Sequence, residues 1–418
     1  MMVGSLTQKT SLLLVTLALS AASEAQPRTG SGTSRLPDST PMEGVHLGAG
    51  DWHLMIHGFL NLVFQAESEP RGREETFSTN MVMLDAGRGL WGGELGVRFM
   101  GSLEPTLGGD GYPLLLQTGE SADGRNPLFD RQHPHDLLME IAVRFRKGPL
   151  QVYLAPVGEP ALGPSAFMHR LSSAVNPVAP LTHHWLDATH ISYGVLTFGL
   201  TFVDSLRVEG SVFNGREPDQ YRWNLERFRL DSYSGRVTWN PKRNWSFQAS
   251  AGKLTEPDRL HPGLDVVRTT ASVIYNRPLE TGNWQTMVAW GRNDTERLTA
   301  PPSSLPPGVH IHFTPGVSPH QNALLAETSV RFASAHAIFA RFEWAEKDEL
   351  FIAADRRHDD IYAVSKLSSG YAFDFLRVGD ARWGVGAYAN LYWVDEQLEF
   401  VYGKRPKGVG LFLRFEIS

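Results

Sequence analysis

The chain has 418 residues, a formal net charge of -6, 20% charged and 11% aromatic residues, 40 Gly, 26 Pro and no Cys. Without Cys there is no disulfide framework, thiolate metal centre or Cys nucleophile. The mild acidity excludes the basic stripe of a nucleic-acid binder.

Residues 1–25 read as a signal peptide. Lys9 supplies the positive region, Ser11–Ser20 the apolar core, and Ser23-Glu24-Ala25 the small-residue cleavage site before Gln26. The apolar run is too short to cross a bilayer as a helix, which needs about 20 residues. Loss of Lys9 and Glu24 leaves the mature charge at -6. Residues 26–51, rich in Gly, Ser, Thr and Pro, read as a flexible leader or short plug.

From Trp52 the apolar period is two, the period of a strand. Leu54, Ile56, Leu60, Leu62 and Phe64 share one face, against His53, Met55, His57, Asn61 and Gln65 on the other. Leu95, Val97 and Phe99 oppose Glu94 and Arg98, and Ile141, Val143 and Phe145 oppose Glu140 and Arg144. Strands are expected near 52–66, 77–85, 93–104, 137–147, 149–156, 188–202, 205–213, 232–240, 245–253, 266–276, 283–293, 322–332, 335–345, 361–376, 381–394 and 408–418. Joins after even members are short, such as Lys147-Gly148 and Val203-Asp204. Those after odd members are long, notably 105–136, 157–187, 214–231 and 294–321. A transmembrane barrel requires that alternation, with tight periplasmic turns and long extracellular loops. The expectation is an all-β, antiparallel transmembrane β-barrel of about sixteen strands (14–18) over 52–418. Trp52, Trp91, Tyr193, Trp239, Trp245, Trp284, Trp383 and Trp393 would form its interfacial aromatic girdles.

In strand rhythm, residues 52–418 resemble the porin-like outer-membrane barrels of Gram-negative bacteria. The last strand, with Val409, Leu411, Leu413, Phe415 and Ile417 alternating, is similar to their aromatic-bearing final strand. It departs from them in that Phe415 lies three residues inside the end. The resemblance implies an outer-membrane location, contact with lipid and the barrel-assembly machinery, passage of small hydrophilic solutes or ions, and a homo-oligomer. It also implies that the third long connection, 157–187, folds inward and narrows the channel. The apolar content of that segment (Phe167, Met168, Leu171, Val175, Val178, Leu181, Trp185) fits such packing, a loop lid or a subunit contact. Inward charges at Glu94, Arg98, Glu140, Arg144, Arg207, Glu209, Arg236, Arg268, Arg341 and Glu343 would line the pore, their mixed signs implying weak selectivity.

Six of the fifteen histidines fall between His133 and His190. His133, His135, His169, His183 and His184, with Asp136 and Glu159, carry the ligand types for a divalent ion such as Zn, Cu or Ni. That gives an alternative function, a metal-binding barrel for uptake or resistance. A smaller group, His310, His312 and His320, lies in 294–321. A second alternative is a lipid hydrolase: His190-Ile-Ser192 resembles the His-x-Ser pair of outer-membrane phospholipases, although Tyr193 replaces the Asn that follows their Ser. With no third partner evident, the expectation is a non-enzyme.

Overall fold

The computed structural model describes residues 28–107, 111–121, 123, 125–203, 205–296, 319–352 and 354–417. The expected signal peptide, His310 and His312 lie outside them. Sixteen strands follow one another around a cylinder: β1 (Trp52–Glu67), β2 (Glu74–Leu90), β3 (Gly93–Gly101), β4 (Leu138–Lys147), β5 (Leu150–Gly158), β6 (Ser192–Phe202), β7 (Leu206–Phe213), β8 (Ser232–Trp239), β9 (Trp245–Leu254), β10 (Val266–Leu279), β11 (Gly282–Thr295), β12 (His320–Phe332), β13 (His336–Lys347), β14 (Tyr362–Val378), β15 (Ala381–Trp393) and β16 (Lys407–Ile417). Each pairs antiparallel with the next, and β16 pairs back onto β1 from Gly58 to Glu67, closing the sheet. Closure satisfies the backbone donors and acceptors that an open edge would expose to lipid.

The sixteen expected segments are all present. Three local differences have physical causes. Residues 188–190 form a 3-10 turn, not the start of a strand, so β6 begins at Ser192. Tyr193 is fully buried, not part of a girdle, and its hydroxyl donates to Asp136 at 2.8 Å. Val45–Ala49 forms an additional strand paired to Trp52–Ile56. β16 ends at Ile417, opposite Gly58, so the first turns of β1 would otherwise have a bare edge.

The alternation sorts the two faces. Leu60, Leu62, Leu84, Val97, Val143, Leu154, Phe198, Val288, Ile338 and Leu411 are exposed on the outside, whereas Arg98, Glu140, Arg207, Glu209, Arg236, Arg341 and Glu343 are buried inside. On the short-turn side Trp239, Phe247, Trp245, Tyr275 and Trp284 pack ring to ring at 4.8–5.9 Å. An apolar band ending in aromatics is the signature of a wall that faces lipid.

Two stretches outside the strands bond to inward-facing side chains. Residues 28–40 meet Arg98 (Gly30 O, 2.9 Å), Arg207 (Thr33 O, 3.1 Å), Asn240 (Leu36 O, 2.9 Å) and Ser246 (Arg35 O, 3.2 Å). Residues 159–191, almost wholly buried, meet Ser211 on β7, Ser250 on β9, Gln285 on β11, Glu327 on β12 and Glu343 on β13. The one-turn helix His183–Leu186 passes so close to β11 that a Cβ on Gly291 would stand 2.4 Å from the Trp185 carbonyl. Only glycine fits there.

Candidate functional site

Charge pairs on the wall hold the inner segments. Arg98 bonds Asp85 at 2.7 Å and lies 3.8 Å from Glu140, while Arg144 bonds the same Asp85 at 2.5 Å. Arg236 bonds Glu209 at 3.1 Å and also reaches Gly163 O and Thr33 Oγ1. Arg341 joins Glu327 at 3.2 Å and the Val178 carbonyl at 2.9 Å, and Glu343 accepts from the Thr182 amide at 3.0 Å. Arg268 donates to Asn293 at 2.9 Å, and Glu94 pairs with Arg146 nearer the turns. Hence most of the inward charges read from the sequence hold each other or an inner segment.

The histidines separate into small networks. Glu120 bridges His133 (2.8 Å) and His184, with Glu217 3.9 Å beyond His184. The Nδ1 atoms of His135 and His183 lie 2.8 Å from the carboxylates of Glu104 and Asp187. His190 Nδ1 donates to the Asp187 carbonyl at 2.8 Å. The rings of His135, His183 and His184 follow one another through His190, with centroids 5.1–5.5 Å apart. His133, His135, His183, His184 and His190 line one cavity of about 20 Å³, room for a single water or ion. His169 is elsewhere, against Met100; Asp136 is taken by Tyr193 and Arg222; Glu159 faces Arg236 at 3.7 Å. Ser192 donates to the Thr189 carbonyl, so Ser192 and His190 are each committed to backbone carbonyls.

Glu120 had no signal in the sequence because it lies in an irregular stretch. The same holds for Asp258, His261 and Glu349, whose ligand atoms lie within 4.8 Å of one another. His261 approaches Asp258 at 2.6 Å and Glu349 at 3.5 Å. Burial lowers its pKa, but the two carboxylates outweigh this and raise it to about 10. A protonated imidazole therefore fills the place between them. Both networks border an outer cavity of about 290 Å³ at the long-loop end.

For Glu120, burial would raise the pKa, but His133 and His184 outweigh it and hold the carboxyl well below the usual range. For His184, burial lowers the pKa, while Glu120 and Glu217 drive it up to about 10. The histidine's contribution to stability is full below its ordinary 6.5 and is lost as pH rises through about 10. The carboxylate's is full above about 4.5 and is lost as pH falls through its depressed value. The difference in melting temperature between wild type and His184→Gln is thus expected to be largest near pH 5–6 and to shrink as pH approaches 10. A difference that grows across that range would contradict the assignment.

No protein-family model matches the chain, and no curated protein matches its sequence. Solved structures do. The anion-selective porin from Comamonas acidovorans aligns with a TM-score of 0.52 at 10% identity, covering 87% of this chain and 99% of that one. The Salmonella typhi OmpF complex with daunomycin aligns at 0.51 and 8% identity, covering 88% and 100%. At such identities the likeness is one of fold. Together with the closed sheet, the apolar exterior and the charged interior, it shows a sixteen-stranded antiparallel transmembrane β-barrel with the fold of those porins.

Proposed function

We propose that the protein is a narrow channel for small hydrophilic solutes and ions, its bore reduced by residues 28–44 and 159–191. Sixteen strands about 4.8 Å apart, tilted by about 40°, enclose a cylinder of roughly 15 Å backbone radius, wide enough for an aqueous channel. The observation that carries the reading is what stands inside that width. Both segments are anchored to the wall by charged and polar side chains, and space remains as separate cavities of about 290 and 110 Å³.

The outer cavity gives the channel a preference. Even with His184 and His261 protonated beside Arg259, Arg268 and Lys347, the lining carboxylates, Glu120, Glu217, Asp219, Asp258 and Asp348 among them, remain in excess. Such an excess concentrates cations at the mouth. In planar bilayers the purified barrel is expected to show small unitary steps. In a KCl gradient the reversal potential should lie toward that of K⁺, shifting toward zero in Glu217→Gln/Asp219→Asn. Steps as large as those of an unobstructed sixteen-stranded pore, or anion preference, would refute it.

A further inference from the structure

Six of the ten methionines, Met55, Met81, Met83, Met100, Met139 and Met168, meet in one buried cluster. The first five stand on β1–β4 and the last on the inner segment. Adaptable thioethers fill gaps, but two imidazoles among them need a separate account. The strand register sets His57 opposite Met83 and Met83 opposite Met100, one row across three strands. Neighbouring Cβ atoms in such a row are about 5 Å apart. From the inner segment, His169 comes down on the row with Nε2 3.2 Å from Met100 Sδ. His57 Nδ1 lies 3.2 Å from the Ile417 carbonyl, so its proton is placed there and the lone pair is left on Nε2. An imidazole fixed through one nitrogen and open at the other is how proteins orient metal-binding histidines. Met55, Met83, Met168, His57 and His169 line the cavity of about 110 Å³, which makes the row reachable.

We propose that His57, Met83, Met100 and His169 bind a soft monovalent cation, Cu(I), for which Ag(I) is a redox-stable substitute. Thioether sulfur selects soft ions. The four side chains bring no negative charge, which suits a singly charged ion better than a divalent one needing carboxylates. Nearby Arg98 is neutralised by Asp85 and Glu140. The site goes beyond the conduction reading and does not depend on it, because binding is measured without ion flow.

The test is titration of the detergent-purified barrel with silver nitrate in chloride-free buffer, read by calorimetry and by the NMR of ¹³C-methyl-labelled methionine. Wild type is expected to take up Ag(I) in a tight step that excess Zn(II) does not displace. The methyl signals of Met83 and Met100 should shift, and that of Met287, on the far wall, should not. Met83→Leu/Met100→Leu is a volume-conserving exchange and should weaken binding at least about tenfold, as should His169→Gln, while Met287→Leu leaves it unchanged. If the double variant fails to assemble, His169→Gln alone decides. No uptake at micromolar Ag(I), displacement by Zn(II), or wild-type affinity in His169→Gln would overturn the proposal.

Discussion

Arg170→Ala is expected to free residues 159–191 from the wall while the barrel stays assembled. The Arg170 side chain has no exposed surface and bonds Asp187 at 2.5 Å, Glu327 at 2.8 Å and the Ser165 carbonyl at 2.6 Å. Truncation leaves Asp187 and Glu327 buried with a cation missing between them. Removing one partner of a buried ion pair costs about 3–5 kcal/mol. Glu327 keeps Arg341 at 3.2 Å, which places the effect toward the lower end of that range. The strand ladders do not pass through Arg170, so the cost falls on the docking of the segment. The measurable result is new protease cleavage within 159–191 and a modest rise in unitary conductance, because residues 28–43 stay bonded to the wall. Far-UV circular dichroism should remain that of an intact barrel. Wild-type protease resistance and conductance together would show that this arginine is not what holds the segment.

Deleting residues 28–43 should also open the bore, by a different route. That stretch occupies Arg98, Arg207, Asn240, Ser246 and, at 3.4 Å through Thr40, Gln285. Without it, those wall groups meet water, which solvates them, so assembly should persist. The two segments also touch, the Ala166 amide donating to Ser31 Oγ at 2.8 Å, so they fill the same stretch of the bore. Each single change therefore leaves the other constriction limiting, and the conductance gain from combining the deletion with Arg170→Ala should exceed the sum of the two single gains. Additive gains would mean that the segments obstruct separate paths. An unchanged conductance in the deletion and in the combination would remove residues 28–43 from any role in the bore.

The sixteen strands were legible in the sequence because period two is local: Leu60, Leu62 and Phe64 against Asn61 and Gln65 are sorted by the pleat alone. The short joins and long connections likewise gave the meander, since adjacent antiparallel strands need only a tight turn. Where the period lapsed, so did the reading. Residues 188–190 turn before β6 starts, and Tyr193 falls inside, where Asp136 takes its hydroxyl.

Sequence alone thus determined the barrel, its two faces and the sidedness of its loops, all consequences of residues near one another in the chain. The tertiary structure decided which side chains meet across the bore. Glu120 with His184, Arg170 with Glu327 and His169 with Met100 join residues 64, 157 and 69 positions apart. Irregular segments have no period from which such partners can be read, and their positions are set only once a closed wall limits where buried charges can find a counter-charge.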